Sequence, residues 1–163
     1  MVSPPQVFDP LRLRHVFGAF PSGVAAVAAV VDGAPVGMAV SSFTSVSLDP
    51  PLVSVCVAHS SNTWPVLRTA PRLGVSILSA AQERAGRQLA GRGVDRFAEL
   101  AWRTTGDGAV LLDGAGGWLE TSVEQQVRAG DHDIVLLRVH DLDADHDVSP
   151  LVFHASRFHR LER

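Results

Sequence analysis

Lysine is absent from this sequence. All 14 basic residues among its 163 are arginine, which excludes a Schiff-base lysine, a phosphate-loop lysine and a lysine general base. An anionic ligand must then be held by arginine, hydroxyl or backbone N–H groups. A second cysteine is absent too. Cys56, inside the apolar run "PLVSVCVA", can close no disulfide within the chain; it is expected as a small core residue, and a cytoplasmic protein is the expectation from cysteine usage. No apolar run has the length of a membrane-spanning helix, and the opening "MVSPPQVFDP" lacks the charged-then-apolar layout of a signal peptide, so no membrane partner is expected. Basic residues do not cluster and the formal net charge is −3, which argues against nucleic acid.

Several chemical signatures are also missing. There is no G-x-S-x-G elbow and no G-x-G-x-x-G fingerprint, so a nicotinamide cofactor would be used without a Rossmann unit. No two histidines have metal-ligand spacing within a plausible helix, and Cys56 has no partner cysteine, so no metal site is expected. The acidic run "DADHD" at 143–147 lacks the glycine and distal glutamate of a calcium loop and reads as a solvated turn.

What is present is an ordinary globular balance, 46% hydrophobic and 19% charged, long enough for one domain with its own core. Residues 1–8 read as a loose arm and 9–163 as a single domain. In "DPLRLRHVFGAF" Asp9 is placed to cap a helix with Pro10 at its first position, and Leu13, Val16, Phe17 and Phe20 share one face. Residues 23–31, 36–43, 52–58 and 73–78 read as strands. Two short helices interrupt them, one opened by Pro65 and one by a capping box of Ser79 and Gln82. Beyond a glycine-rich turn region, "WLETSVEQQVRAG", "HDIVLLRVHDLDA" and "PLVFHASRFHRL" supply three more strands. The pattern predicts a mainly β protein, a closed or partly closed antiparallel barrel with peripheral short helices.

Two segments carry chemistry. In "GMAVSSFTSVSLDPP" five hydroxyls, Ser41, Ser42, Thr44, Ser45 and Ser47, crowd a strand-like stretch. They either bond their own backbone or offer polar groups to a flat heteroaromatic ring. In "HSSNTWP" Ser60, Ser61 and Thr63 precede a helix start at Pro65, where free N–H groups and the helix dipole would favour a phosphate, or where the hydroxyls simply cap. Together they fit a flavin nucleotide better than either does alone. His132 follows a glycine turn in "GDHD".

The blocks "FGAFPSGVAAVAA", "SSFTSVSLDPPLV", "SSNTWPVLRTAP", "DRFAEL", "GDHDIVLLRV" and "PLVFHASRF" occur in that order. In this the chain resembles the short-chain flavin reductases, the reductase components of two-component flavin-dependent monooxygenases. The resemblance runs from about Leu13 to Phe158 and implies the flavin-binding split barrel, commonly a homodimer. By that resemblance Ser41, Ser42, Phe43, Thr44, Ser45, Ser47 and Leu48 line the flavin ring and ribityl chain, and Ser61, Asn62, Thr63 and Trp64 take the phosphate. It also puts His132 at the nicotinamide, with Arg157 and Phe158 nearby. The implied reaction is hydride transfer from NADH or NADPH to FMN or FAD, with reduced flavin passing to a separate monooxygenase. Ala39, Ser41, His154 and Arg157 depart from the family's usual residues, which leaves open a deazaflavin-dependent oxidoreductase of the same fold, or a flavin-binding module without turnover. Arg92, Arg96 and Arg157 are candidates for anionic groups.

Overall fold

The structure is a computed structural model that describes residues 2–162. Residues 2–9 carry no regular secondary structure. Helix α1 (Pro10–Phe17) starts as its sequence predicts: the Leu11 N–H donates to Asp9 Oδ1 at 3.0 Å, and Pro10, which has no N–H to satisfy, is the first helical residue. Its apolar face is not covered, since Val16, Phe17 and Phe20 are all exposed and the helix buries no residue.

Strands β1 (Ser22–Gly23), β2 (Ala25–Val31), β3 (Ala34–Val40), β4 (Thr44–Leu48) and β5 (Pro51–Ala58) come next. After the one-turn helix α2 (Trp64–Leu67) comes β6 (Leu73–Ile77), then a 3-10 turn (Ala80–Gln82) running into α3 (Glu83–Ala90). The remainder is β7 (Trp102–Thr104), β8 (Val110–Leu112), β9 (Gly117–Ala129), β10 (His132–Ala144), β11 (Leu151–His154) and β12 (Arg157–Arg160).

Seven strands form one antiparallel sheet in the order β3-β2-β6-β9-β10-β5-β4. The sheet curls far enough for β2, β3, β5, β6, β9 and β10 to turn side chains into one cluster, with Val27, Met38, Val55, Leu73, Leu119 and Leu137 among its members. Its edge strands β3 and β4 are consecutive in the chain yet do not pair with each other. This is a split barrel, open along one seam.

Strand β2 shows how composition fixes position. Ala25, Val27 and Ala29 point into the barrel, and Ala26 and Ala28 point into a second cluster with Leu78, Leu89, Phe97 and Leu112. A strand buried on both faces has no polar side, hence the unbroken "GVAAVAAVV".

Three expectations differ from the structure, the first being the strand over 36–43: β3 ends at Val40 and the chain leaves strand geometry at 41–43 before β4. The last stretch is a hairpin, β11–β12, rather than one strand, and with β1 it makes a separate three-stranded sheet. Its turn residues Ala155 and Ser156 sit at φ of 49° and 62°. That conformation normally selects glycine or asparagine, so the turn left no mark in the sequence. The glycine-rich region also holds a further hairpin, β7–β8, of three-residue strands too short to show a period. Among the described residues no helix is long and apolar enough to cross a membrane.

Candidate active site

The seam between β3 and β5 is a groove. Strand β4 pairs with β5 only as far as Thr44 opposite Ser54. Beyond that point the chain bends at 41–43, and Ser42 Oγ accepts from the Cys56 N–H at 2.8 Å and donates to the Cys56 carbonyl at 3.3 Å. One hydroxyl thus stands in for a missing strand, satisfying both backbone groups of Cys56. Past Cys56 no strand separates β5 from β3. A cavity of about 330 Å³ opens there, lined by Met38, Ala39, Ser41, Cys56, Ala58 and His132. Cys56, expected in the core, is half-buried on the groove wall.

The groove continues into a larger cavity of about 480 Å³, which shares Met38, Ala39, Ala58 and Ser61 with the first. Asn62, Thr63, Arg92 and Arg96 close this second end. Arg96 is fixed by three elements: Nε donates to Gly91 O at 2.9 Å, and Nη1 donates to Gly37 O at 3.0 Å and to Thr63 Oγ1 at 2.8 Å. It brackets β3, the loop after α3 and the loop before α2.

The helix-terminus account of the anion site does not hold. Helix α2 is a single turn. The Trp64 N–H donates to Ser61 Oγ at 3.1 Å, Pro65 has none, and the Val66 and Leu67 N–H groups donate to Thr63 O. Ser61 therefore caps, and the positive charge at this end comes from Arg92 and Arg96.

At the other end His132 Nδ1 lies 2.7 Å from Asp131 Oδ1. The imidazole hydrogen bond and charge hold the Asp131 carboxyl below the usual carboxylate range. Phe158 packs on Phe153 with ring centroids 5.3 Å apart and carries the Arg87 guanidinium 4.8 Å from its own centroid. It lines a small apolar recess of about 120 Å³ that reaches the groove at Ser41.

Of the residues singled out in the sequence, Ser41, Ser42, Ser61, Asn62, Thr63 and His132 line the groove. Phe43 packs against the barrel core. Thr44, Ser45 and Leu48 are exposed and Ser47 is half-buried on edge strand β4, away from both ends of the groove. Trp64 is buried, with its indole N–H donating to Gln126 Oε1 at 3.1 Å. Arg157 is exposed on β12. Met38, Ala39 and Ala58, which line both cavities, carried no sequence signal because a small apolar strand residue looks the same whether it faces core or ligand.

The Flavin reductase like domain model matches residues 17–162. The chain belongs to this flavin reductase family. It is 42% identical over 135 residues to a "Probable flavin reductase" of Rhizobium meliloti, covering 82% of this chain and 43% of that protein, so the chain spans less than half of that relative. It is 31% identical over 157 residues to the flavin-dependent monooxygenase reductase subunit HsaB of Rhodococcus jostii, covering 96% and 80%. Among solved structures, the Streptomyces globisporus NADH:FAD oxidoreductase SgcE6 in complex with NAD and FAD fragments superposes with a TM-score of 0.88 at 38% identity, covering 97% of this chain and 98% of that one. For a member of the flavin reductase family the groove has a fitting shape and donor set. Met38, Ala39 and Ala58 lie between serine hydroxyls and an imidazole at one end and two guanidiniums at the other.

Proposed function

We propose that the groove binds a flavin nucleotide, with the ring at the Ser41–Ser42 bend beside His132 and the phosphate between residues 61–63 and Arg92 and Arg96. The chain is an NAD(P)H-dependent flavin reductase. The observation that carries this reading is the polarity of the groove: the cations gather at one end, an apolar floor spans the middle, and hydroxyl and imidazole groups stand at the other. A phosphorylated ring compound is long enough to use all three.

In this reading a bound flavin accepts a hydride from a reduced nicotinamide, and the protein's contribution is alignment. Met38, Ala39 and Ala58 let a planar ring approach the seam. The backbone of the 41–43 bend faces the ring because Ser42 already satisfies Cys56. Arg96, held at a fixed angle by three acceptors, presents charge to the phosphate without losing side-chain freedom on binding. Asp131 fixes the imidazole of His132 by its hydrogen bond, and His132 orients the nicotinamide from the open side. Arg157 and Phe158 border the same side. FMN and FAD both meet these requirements at the ring and first phosphate.

Reduced flavin then passes by diffusion to a separate monooxygenase, as the relation to a monooxygenase reductase subunit supports. The uncovered faces of α1 and of edge strand β4, with Phe17, Phe20 and Leu48 exposed, support a homodimer in which a second copy covers them. Cysteine usage supports a cytoplasmic location.

Anaerobic mixing of the purified protein with FMN or FAD and NADH tests this directly. Loss of the oxidised flavin's visible absorbance at a rate proportional to protein concentration is expected, and an unchanged spectrum would sink the reading. His132→Ala is expected to raise the KM for NADH about tenfold, the size of one lost hydrogen-bonding contact, while leaving flavin affinity nearly unchanged. A collapse of flavin affinity instead would move His132 from the nicotinamide to the flavin.

A further inference from the structure

The loop of residues 59–63 forms one wall of the phosphate end, and it is tied down at both of its ends. At the far end Thr63 accepts from Arg96 and Trp64 donates to Gln126. At the near end the His59 N–H donates to Asp131 O at 2.9 Å, and His59 Nε2 lies 2.8 Å from Asp133 Oδ1. Between these ties stand Ser60, Ser61 and Asn62, which line the larger cavity.

The strand register explains why His59 meets Asp133. His132 is opposite Ala58 and Asp133 is opposite Val57. Alternation puts His132 and Ala58 on the groove face and turns Asp133 away from it, toward His59 in the turn that follows β5. His59 and Asp133 line neither end of the groove. Their side chains are 37% and 28% exposed, and a polar contact so placed adds little to global stability. The pair lies where the loop leaves β5, just ahead of the polar side chains of Ser60, Ser61 and Asn62.

We propose that His59 and Asp133 are a positioning pair for phosphate recognition, acting from behind the groove wall through residues 60–62. The inference rests on the flavin-groove reading above. The backbone bond from His59 to Asp131 and the far-end ties through Trp64 and Arg96 remain when the pair is removed, so its loss shifts the loop without unfolding it.

Fluorescence titration of riboflavin, FMN and FAD against wild type, His59→Ala, Asp133→Ala and His59→Gln tests the assignment. Riboflavin shares the ring and ribityl chain with FMN and lacks only the phosphate. Both alanine variants are expected to bind FMN and FAD about tenfold more weakly, one hydrogen-bond equivalent, with riboflavin affinity and melting temperature nearly unchanged. His59→Gln, whose amide can still donate to Asp133, is expected to regain most of the FMN affinity. Equal losses for riboflavin and FMN, or no loss for either, would overturn the positioning role. A wild type that binds FMN no better than riboflavin would overturn the phosphate end itself, and the pair's role with it. A wild-type preference for FMN that survives unchanged in His59→Ala would overturn the pair's role alone.

Discussion

Gly74→Ala is expected to lower the melting temperature by roughly 10 °C, the largest loss of stability from any single methyl group in this chain. Gly74 is a buried residue of β6, and a Cβ there would meet the Val110 carbonyl oxygen at 2.0 Å, its carbon at 2.7 Å and Leu111 Cδ2 at 2.9 Å. The nearest obstacles are backbone atoms of β8, which cannot rotate away as a side-chain tip could. Relief requires separating β8 from β6, and β8 brings Val110 and Leu112 to the outer core and Leu111 to near-complete burial. Overpacking of a well-ordered core costs about 1–3 kcal/mol, and a backbone-to-backbone clash lies at or above the top of that range. At roughly 2–4 °C per kcal/mol for a chain of this size, the expected shift follows. Gly23→Ala is the matched control, because a Cβ there meets nothing within 4 Å; its melting curve is expected to overlay the wild type. A Gly74→Ala protein that melts with the wild type would show that β8 does not pack on β6 as described.

The second large effect is at the ligand. Arg96→Ala is expected to weaken FMN and FAD binding by about two orders of magnitude, as hydrogen bonds to charged groups are worth about 1.5–3 kcal/mol each. Two losses combine there. The guanidinium proposed for the phosphate is gone, and the acceptors at Gly37, Gly91 and Thr63 lose their shared donor. Arg96→Lys is expected to recover only a small part. A single ammonium keeps the charge but cannot bridge three acceptors in fixed directions, so the loop at 63 and the loop at 91 are no longer held to β3 together. Isothermal titration with FMN measures both variants, and wild-type affinity in Arg96→Ala would remove Arg96 from the site.

Much of the fold was readable because its elements announce themselves locally. Asp9 and Pro10 marked α1, Ser79 and Gln82 marked the 3-10 turn entering α3, and the two-sided burial of β2 showed as an unbroken apolar run. The β11–β12 hairpin did not show, because Ala155 and Ser156 occupy a turn that sequence rules give to glycine or asparagine. The groove was half legible. Hydroxyls in two segments and His132 after a glycine turn could be picked out by residue type. The strand expected over 36–43 ends at Val40; a bend at 41–43 and edge strand β4 follow, and of these only the bend lies on the groove. Where the chain departs from strand geometry depended on Ser42 reaching Cys56, fourteen residues on, a contact that no local pattern encodes. The source of positive charge was legible as three candidates, Arg92, Arg96 and Arg157, of which only the first two line the cavity. The helix terminus that the sequence suggested at Pro65 is spent within α2, whose Trp64, Val66 and Leu67 N–H groups donate to Ser61 and Thr63.

The proposed reaction has flavin enter and leave this groove as a substrate reduced by a pyridine nucleotide. It is tested most directly by following NADH and NADPH consumption by the purified protein while FMN, and then FAD, is raised from below to well above the protein concentration. The rate is expected to keep rising after flavin exceeds one molecule per chain and then to saturate. A rate that stops rising at one flavin per chain, or no consumption of either nucleotide with either flavin, would contradict it.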